Sequence, residues 1–115
     1  MGIHFVDPEE NPQPPDLVRF RNVSFNIYPD KRRLRLKVDI TPFQEPPNME
    51  VKAFKPSGEQ AASASVIGMN SPNLELTLHL RGEISAGDYV LNLQLGYYDN
   101  EPVDHREVPF VITEI

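Results

Sequence analysis

The basic side chains are concentrated in one segment of the sequence. Seven of the eleven Lys and Arg residues lie between Arg19 and Lys37, although the net charge of the chain is −6. Arg33 and Arg35 alternate with apolar residues up to Lys37, so a strand here places all three on one outward face. Arg19 and Arg21 lie on the preceding strand and are predicted to extend that face. Segregated positive charge in an acidic chain favours contact with an acidic protein surface or a polyanion; the alternative is a solvated sheet face whose charges discourage aggregation.

Nucleic acids and membranes fit this composition poorly. No aromatic platform except Tyr28 is interleaved with these cations, so the segment lacks the stacking platforms of single-strand binders. The net negative charge repels nucleic acid and anionic lipid. No apolar run is long enough to span a bilayer. We therefore expect no nucleic-acid partner and no membrane insertion.

A cluster of acidic residues near the C-terminus is a weak candidate for a metal site. Asp99, Glu101 and Asp104 lie close together in the sequence, followed by His105. Carboxylate oxygens are the ligands that calcium prefers, but a binding loop normally supplies more of them than this segment contains. The alternative is an ordinary solvated loop between two strands.

Catalytic motifs and cofactor motifs are missing from the sequence. There is no cysteine, no Gly-x-Ser-x-Gly motif and no glycine-rich phosphate loop. The three histidines are His4, His79 and His105, which are too far apart in sequence to suggest a metal site. The sequence therefore predicts a protein that is not an enzyme and needs no cofactor, and a small enzyme ranks last among the alternatives.

Alternation of apolar and polar residues predicts strands and no helix. The clearest run is residues 89–97, where Tyr89 and the leucines that follow at every second position share one face, after a turn at residues 86–88. Pro109 removes a hydrogen-bond donor from the last strand, which favours a sheet edge. The predicted strands, about seven in number, cover residues 17–27, 34–40, 49–54, 60–69, 74–80, 89–97 and 108–112.

The first two strands fit together in one register. A turn signal at residues 29–32 predicts a hairpin with a four-residue loop. In that register Phe25 faces Leu36 in the core, and Asn26 faces Arg35 outside. The apolar parity changes near Arg21, so the sequence also requires a bulge there or a switch between sheets.

The length and these patterns predict one domain. The 115 residues include twelve prolines, four of which fall within residues 8–15. We predict that residues 1–16 are an N-terminal strand or a proline-rich linker and that residues 17–115 form the sandwich. The fold class is all-β, an antiparallel two-sheet Greek-key sandwich.

Residues 84–93, Ile-Ser-Ala-Gly-Asp-Tyr-Val-Leu-Asn-Leu, resemble the tyrosine corner of immunoglobulin-like and fibronectin type III domains. The order of the seven strands also resembles these families, whereas their buried tryptophan and the antibody disulfide are missing. The resemblance implies that the Tyr89 hydroxyl bonds to the backbone of the preceding loop and that Gly87 shapes the turn.

The predicted function is a non-catalytic immunoglobulin-like module that binds another protein or serves as an accessory domain of a larger assembly. The alternative is a calcium- or carbohydrate-binding accessory module of an extracellular enzyme. We expect a monomer or a weak dimer formed through edge strands. The first residues do not resemble a signal peptide, which predicts a cytoplasmic location if the chain is complete.

Overall fold

The computed structural model describes residues 11–98 and 101–113. Residues 1–10 of the predicted N-terminal strand or linker therefore lie outside the described residues. Strands are formed where the sequence alternates. Their bounds are β1 Phe20–Ile27, β2 Arg33–Ile40, β3 Asn48–Phe54, β4 Gln60–Val66, β5 Asn73–His79, β6 Gly87–Gly96 and β7 Asp104–Ile112.

Two antiparallel sheets face each other across one core. The first sheet has the order β1-β2-β5, and the second has the order β4-β3-β6-β7. The chain crosses from the first sheet to the second after β2, returns for β5 and crosses again to β6. The predicted class, an all-β sandwich of about seven strands in two antiparallel sheets, is confirmed.

The predicted hairpin register is also confirmed. Phe25 pairs with Leu36 and Asn26 pairs with Arg35, and the turn closes where the Tyr28 amide donates to the Arg33 carbonyl at 2.9 Å. The register shifts between Phe20 and Asn22, so the change of parity is accommodated by a bulge.

The core lies between β2 of the first sheet and β3 and β6 of the second. Tyr89, Leu91, Leu93 and Leu95 of β6 are completely buried, because they occupy the inward positions of a central strand. Burying each of these leucines contributes about 1.5–3 kcal/mol to the stability of the fold. The strand with the strongest alternation is thus the one that both sheets pack around.

Two boundaries differ from the sequence prediction. Strand β7 begins at Asp104, four residues before its apolar alternation starts, so part of the predicted loop is strand. The sequence predicts no helix, but the described residues include one 3-10 turn, Pro15–Leu17. Pro14 and Pro15 at its start have the φ angle that such a turn needs. Just before it, the Gln13 amide donates to the Pro42 carbonyl, which attaches part of the predicted linker to the sandwich.

Candidate functional site

Three predicted contact residues share the outward face of β2. Arg33, Arg35 and Lys37 alternate with buried residues, and we call these three side chains the basic face. The side chains of Arg35 and Lys37 are 52% and 55% exposed. Their alternation places them on the solvent side of the first sheet, as the strand pattern predicts.

Carboxylates from elsewhere in the chain compensate the basic face. Arg35 Nη2 lies 2.7 Å from one oxygen of Glu75, and Lys37 Nζ lies 3.4 Å from the other oxygen. Glu75 belongs to β5, which pairs with β2 and so brings a residue forty positions away alongside. Arg33 Nε lies 2.9 Å from Asp30 in the hairpin turn. The outward face is therefore a ladder of mixed charge.

The titration of these carboxylates follows from their partners. The hydrogen bond from Arg35, and then its charge, lower the pKa of Glu75. The same hydrogen bond raises the pKa of Arg35. The backbone amide of Arg32 is the largest influence lowering the pKa of Asp30, ahead of the side chain of Arg33. Both carboxylates stay ionised around neutral pH and continue to offset the cations.

Arg19 turns away from the basic face, and Arg21 lies near its Lys37 end. Arg19 Nη1 donates to the carbonyl oxygens of Asp16 and Val18 at 2.9 and 2.8 Å, so its guanidinium turns back toward its own backbone. Arg21 sits at the β1 bulge, where with Asp39 it lines an open hollow of about 560 Å³. Of the five predicted partner-binding residues, Arg19 is therefore the one whose charged group points back to its own backbone, while Arg21 lies beside Asp39, two residues beyond Lys37 on β2.

The acidic candidates serve a different purpose where the structure describes them. Asp99 lies outside the described residues, and Glu101 is exposed. Asp104 accepts the amide of Phe20 at 2.9 Å through Oδ2 and the amide of His105 at 2.9 Å through Oδ1. Within residues 11–98 and 101–113, no three potential ligands gather in a group that could hold a metal ion.

Asp104 is half of a contact between the two sheets. Its Oδ2 accepts from the amide of Phe20, and Arg106 Nη2 donates to the carbonyl of Phe20 at 3.0 Å. Both side chains occupy inward positions of β7, opposite Leu95 and Leu93 of β6. We call this contact of Asp104 and Arg106 with the Phe20 backbone the Phe20 clamp. It satisfies two backbone groups next to the bulge in β1.

Tyr89 makes the contact that the resemblance implies. Its hydroxyl donates to the Ser85 carbonyl at 2.8 Å and accepts from the Ser85 amide at 3.3 Å. Gly87 has φ +145°, and a Cβ there would lie 2.8 Å from Cγ of Pro56. A side chain at this position would therefore force the turn away from the loop that precedes β4.

A groove that the sequence analysis did not identify runs along the outward face of the second sheet. It lies over the paired strands β3 and β6, where outward residues face each other in register, with Glu50 opposite Gln94 and Lys52 opposite Asn92. We call it the β3–β6 groove. Its wall residues over these strands are Glu50, Lys52, Phe54, Asn92 and Gln94.

Two adjoining hollows make up this groove. The larger, about 260 Å³, is bounded by Tyr97, Tyr98 and Ile67, and the smaller, about 130 Å³, ends at Phe54. Glu50 and Gln94 line both hollows, so the two lie next to each other along the sheet. Tyr98 is 70% exposed and Ile67 is 62% exposed, so the wide end presents apolar surface to solvent.

The polar side chains of the groove contrast with those of the basic face. Glu50, Lys52, Asn92 and Gln94 form no hydrogen bond or ion pair with any other described residue. At the wide end, the Tyr97 hydroxyl donates to the Glu45 carbonyl at 2.9 Å. Burial, and then the charge of Glu45, raise the pKa of Tyr97, so it remains a donor. The groove therefore has apolar side chains at both ends. Between them lie polar side chains that form no hydrogen bond or ion pair with another described residue.

Histidines do not converge in the described part of the chain. His79 is exposed on β5 of the first sheet, and His105 is exposed on β7 of the second, while His4 lies outside the described residues. Within the described residues, no helix has the length and apolarity needed to cross a membrane.

No model of a known protein family matches the sequence, and no curated protein matches it either. Solved structures do share its fold. A glycosyl hydrolase family 2 member from Bacteroides cellulosilyticus superposes with a TM-score of 0.60 at 12% sequence identity, covering 83% of this chain and 15% of that one.

Two β-glucuronidases give similar results. The enzyme from Bifidobacterium dentium, solved with coumarin-3-O-glucuronide, has a TM-score of 0.58 at 11% sequence identity. The superposition covers 83% of this chain and 18% of the enzyme's chain. The enzyme from Lactobacillus rhamnosus has a TM-score of 0.50 at 17% sequence identity, and the superposition covers 84% of this chain and 16% of the enzyme's chain. This chain therefore spans less than a fifth of each of these enzymes, and the likeness is one of fold.

Proposed function

We propose that this chain is a non-catalytic immunoglobulin-like module that serves as an accessory domain of a carbohydrate-active enzyme. One observation carries the proposal. Most of this chain, 83%, superposes on only 15% of a glycosyl hydrolase family 2 member. In that enzyme the fold is one small part beside a much longer chain, and a module of this size fits the same relationship.

The immunoglobulin-like assignment rests on strand order and on the corner at Tyr89. Strands β1, β2 and β5 form one sheet, and β3, β6 and β7 form the central and edge strands of the other, with β4 added beside β3. This is the arrangement of an immunoglobulin sandwich whose fourth strand has joined the opposite sheet. The Tyr89 hydroxyl bond to Ser85 supports the same assignment.

The test is capture of glycosidase activity by the intact chain. The immobilised protein is incubated with an extract of its native source, and the bound fraction is assayed with a panel of chromogenic β-glycosides that includes glucuronides. We expect no turnover from the purified chain alone and clear turnover from the bound fraction. An unrelated β-sandwich of similar size serves as the control bait and should bring down no activity.

Two results would contradict the proposal. Turnover by the purified chain itself would show that it is a catalyst. A bound fraction without glycosidase activity, in an extract that contains such activity, would show that the module does not associate with enzymes of this class.

Docking of an acidic protein through the basic face is the second candidate function. The side chains of Arg35 and Lys37 favour it, since they remain about half exposed to solvent even though their charged ends pair with Glu75. The triple variant Arg33→Glu, Arg35→Glu, Lys37→Glu, first shown to be folded, should lose the captured partner. Arg81→Glu, an exposed reversal outside this face, is the control. Equal capture by the triple variant and the wild type would exclude the basic face as the contact.

A further inference from the structure

We propose that the β3–β6 groove binds a neutral oligosaccharide. This inference rests on the proposed function, since it names the ligand class of an accessory module. Four features of the groove support it: its length, its paired donors and acceptors, its balance of charge and the apolar rings at its ends.

The length of the groove suits an extended ligand. From Gly96 at the wide end to Val90 beside Phe54, β6 advances six residues, or about 20 Å at the rise of a strand. The two hollows adjoin at Glu50 and Gln94, which line both. A single small molecule would fill one hollow, whereas a short chain of linked rings would occupy both.

The middle of the groove offers donors and acceptors side by side. The amides of Asn92 and Gln94 each carry an acceptor oxygen and a donor NH₂ group. Across from them, Lys52 donates and Glu50 accepts. A sugar hydroxyl both donates and accepts, so adjacent hydroxyls on one ring match this alternation. Because none of these four side chains is engaged within the described part of the chain, binding breaks no existing contact.

Charge selects a neutral ligand. The two ionised residues of the middle section, Glu50 and Lys52, are of opposite sign and cancel. An anionic polymer would meet the Glu50 carboxylate, while a cationic one would meet Lys52. A ligand with hydroxyls and no net charge avoids both conflicts and still uses both residues as hydrogen-bond partners.

Aromatic and apolar side chains close the groove at both ends. Tyr98 and Ile67 are strongly exposed at the wide end, and Phe54 lies at the other. The flat face of a sugar ring carries C–H groups and packs against such surfaces, with a tyrosine hydroxyl left at the wet edge. Exposed apolar surface beside polar groups is the composition of a ligand site.

An extended peptide is a poorer occupant of this groove. Peptides that join sheets do so through free backbone groups at an edge strand. Strands β3 and β6 both lie inside the second sheet, where each is paired on both sides. A ligand in the groove can therefore be bound only by side chains. Side chains can hydrogen-bond the hydroxyls of a sugar and pack against its rings.

The experiment is a titration of the whole chain with neutral oligosaccharides, namely cello-, xylo- and manno-oligosaccharides of increasing length. Binding is followed by calorimetry and by NMR of the side-chain amides. We expect one of these series to bind, with affinity rising with length until the groove is filled, and with shifts of the Asn92 and Gln94 NH₂ signals. The double variant Asn92→Ala, Gln94→Ala should weaken that binding by about tenfold or more.

The matched control is Asn26→Ala, Thr77→Ala, which removes two exposed polar side chains from the outward face of the first sheet. It should leave the affinity within about twofold of the wild type. Tyr98→Ala tests the apolar end separately and should also weaken binding. Circular dichroism confirms that each variant is folded, as expected for changes outside the buried core.

Three outcomes would overturn the inference. These are no binding of any neutral series at millimolar concentration, binding that the groove variants leave unchanged, and preference for an anionic oligosaccharide. Capture of glycosidase activity is measured separately. A chain that captures an enzyme but binds no sugar keeps the proposed function and loses this inference.

Discussion

Tyr89 shows how one hydroxyl can be accommodated in an apolar core. Its ring is completely buried, with its centroid 5.2 Å from that of Phe110. A buried hydroxyl without a partner destabilises a fold, so the two contacts with the Ser85 backbone are what allow a tyrosine here. The same two bonds hold the loop that leads into β6.

Replacing Tyr89 by phenylalanine tests this contact. The change keeps the ring and leaves the amide and carbonyl of Ser85 without this partner. We expect Tyr89→Phe to lower the free energy of unfolding by about 1–2 kcal/mol, measured by urea denaturation. Tyr97→Phe removes an exposed hydroxyl bond to Glu45 and should cost less. A Tyr89→Phe protein as stable as the wild type would show that the bond contributes nothing net.

Glu75 should make stability depend on pH. Its pKa is lowered in the folded state, chiefly by the hydrogen bond from Arg35. The stabilisation is therefore fully present above the pKa of an unfolded glutamate and is lost as the pH falls through the lower, folded value. Melting temperatures of wild type and Glu75→Gln should differ most at neutral pH, and the difference should shrink as the pH falls through the lowered pKa of the folded state.

Salt and a control substitution make the pH experiment specific. The pair is exposed, so added salt should shrink the difference at neutral pH. Glu83, which is exposed and forms no ion pair with another described residue, provides the control variant Glu83→Gln. A difference between wild type and Glu75→Gln that persists at acid pH would point to a cause other than ionisation of this carboxylate.

Among the elements, β7 connects the two sheets as well as extending one. Through the Phe20 clamp, two side chains of β7 bond to the backbone of β1 in the opposite sheet. Where β1 has its bulge, these side chains supply partners that a regular neighbouring strand would otherwise provide.

Removing the carboxylate of Asp104 should loosen this connection. Asp104→Ala leaves the amide of Phe20 without its acceptor, and we expect a loss of about 1–3 kcal/mol in unfolding free energy. Hydrogen exchange at Phe20 should accelerate in the same variant. Glu101→Ala, an exposed change nearby, should leave both measurements unaltered. Unchanged protection at Phe20 in Asp104→Ala would mean that another group satisfies its amide.

The elements differ in how far sequence could predict them. The β1–β2 hairpin was predictable residue by residue, because period-two alternation and a turn signal act over short distances. The first half of β7 was not, because its inward positions hold Asp104 and Arg106, whose polar character hides the alternation. Their partner, Phe20, is more than eighty positions away in the sequence.

Distance in sequence also explains what was missed at the surface. The basic face was visible as a pattern, but its neutralisation by Glu75 depends on the pairing of β2 with β5, which composition does not reveal. The β3–β6 groove depends on two strands becoming neighbours across the β4 and β5 segments. In the sequence, Asn92 and Gln94 look like ordinary outward residues of a strand. Only the pairing of β3 with β6 shows that Glu50 and Lys52 lie beside them.

At the scale of the whole molecule, both sheets bury their inward faces in a single core. Neither sheet retains a core without the other, so the two should unfold together. Two of the five strand pairs in the described part of the chain, β2 with β5 and β3 with β6, join residues more than thirty positions apart in sequence, and such non-local pairing predicts folding in milliseconds to seconds. We expect tyrosine fluorescence and far-ultraviolet circular dichroism to give coincident denaturation curves. Separated curves would reveal a sheet that persists alone.

The ends of β1 and β7 have a mechanical consequence. The Phe20 clamp joins the start of β1 to the start of β7, while Lys31 Nζ lies 2.6 Å from the Thr113 hydroxyl where the two strands finish. The strands therefore run side by side in the same direction. Tension applied before Phe20 and after Ile112 pulls β1 and β7 past each other. The hydrogen bonds that join the two strands are then loaded together in shear rather than one after another. Stretching the module between these two positions therefore requires all three bonds to break at once rather than in sequence.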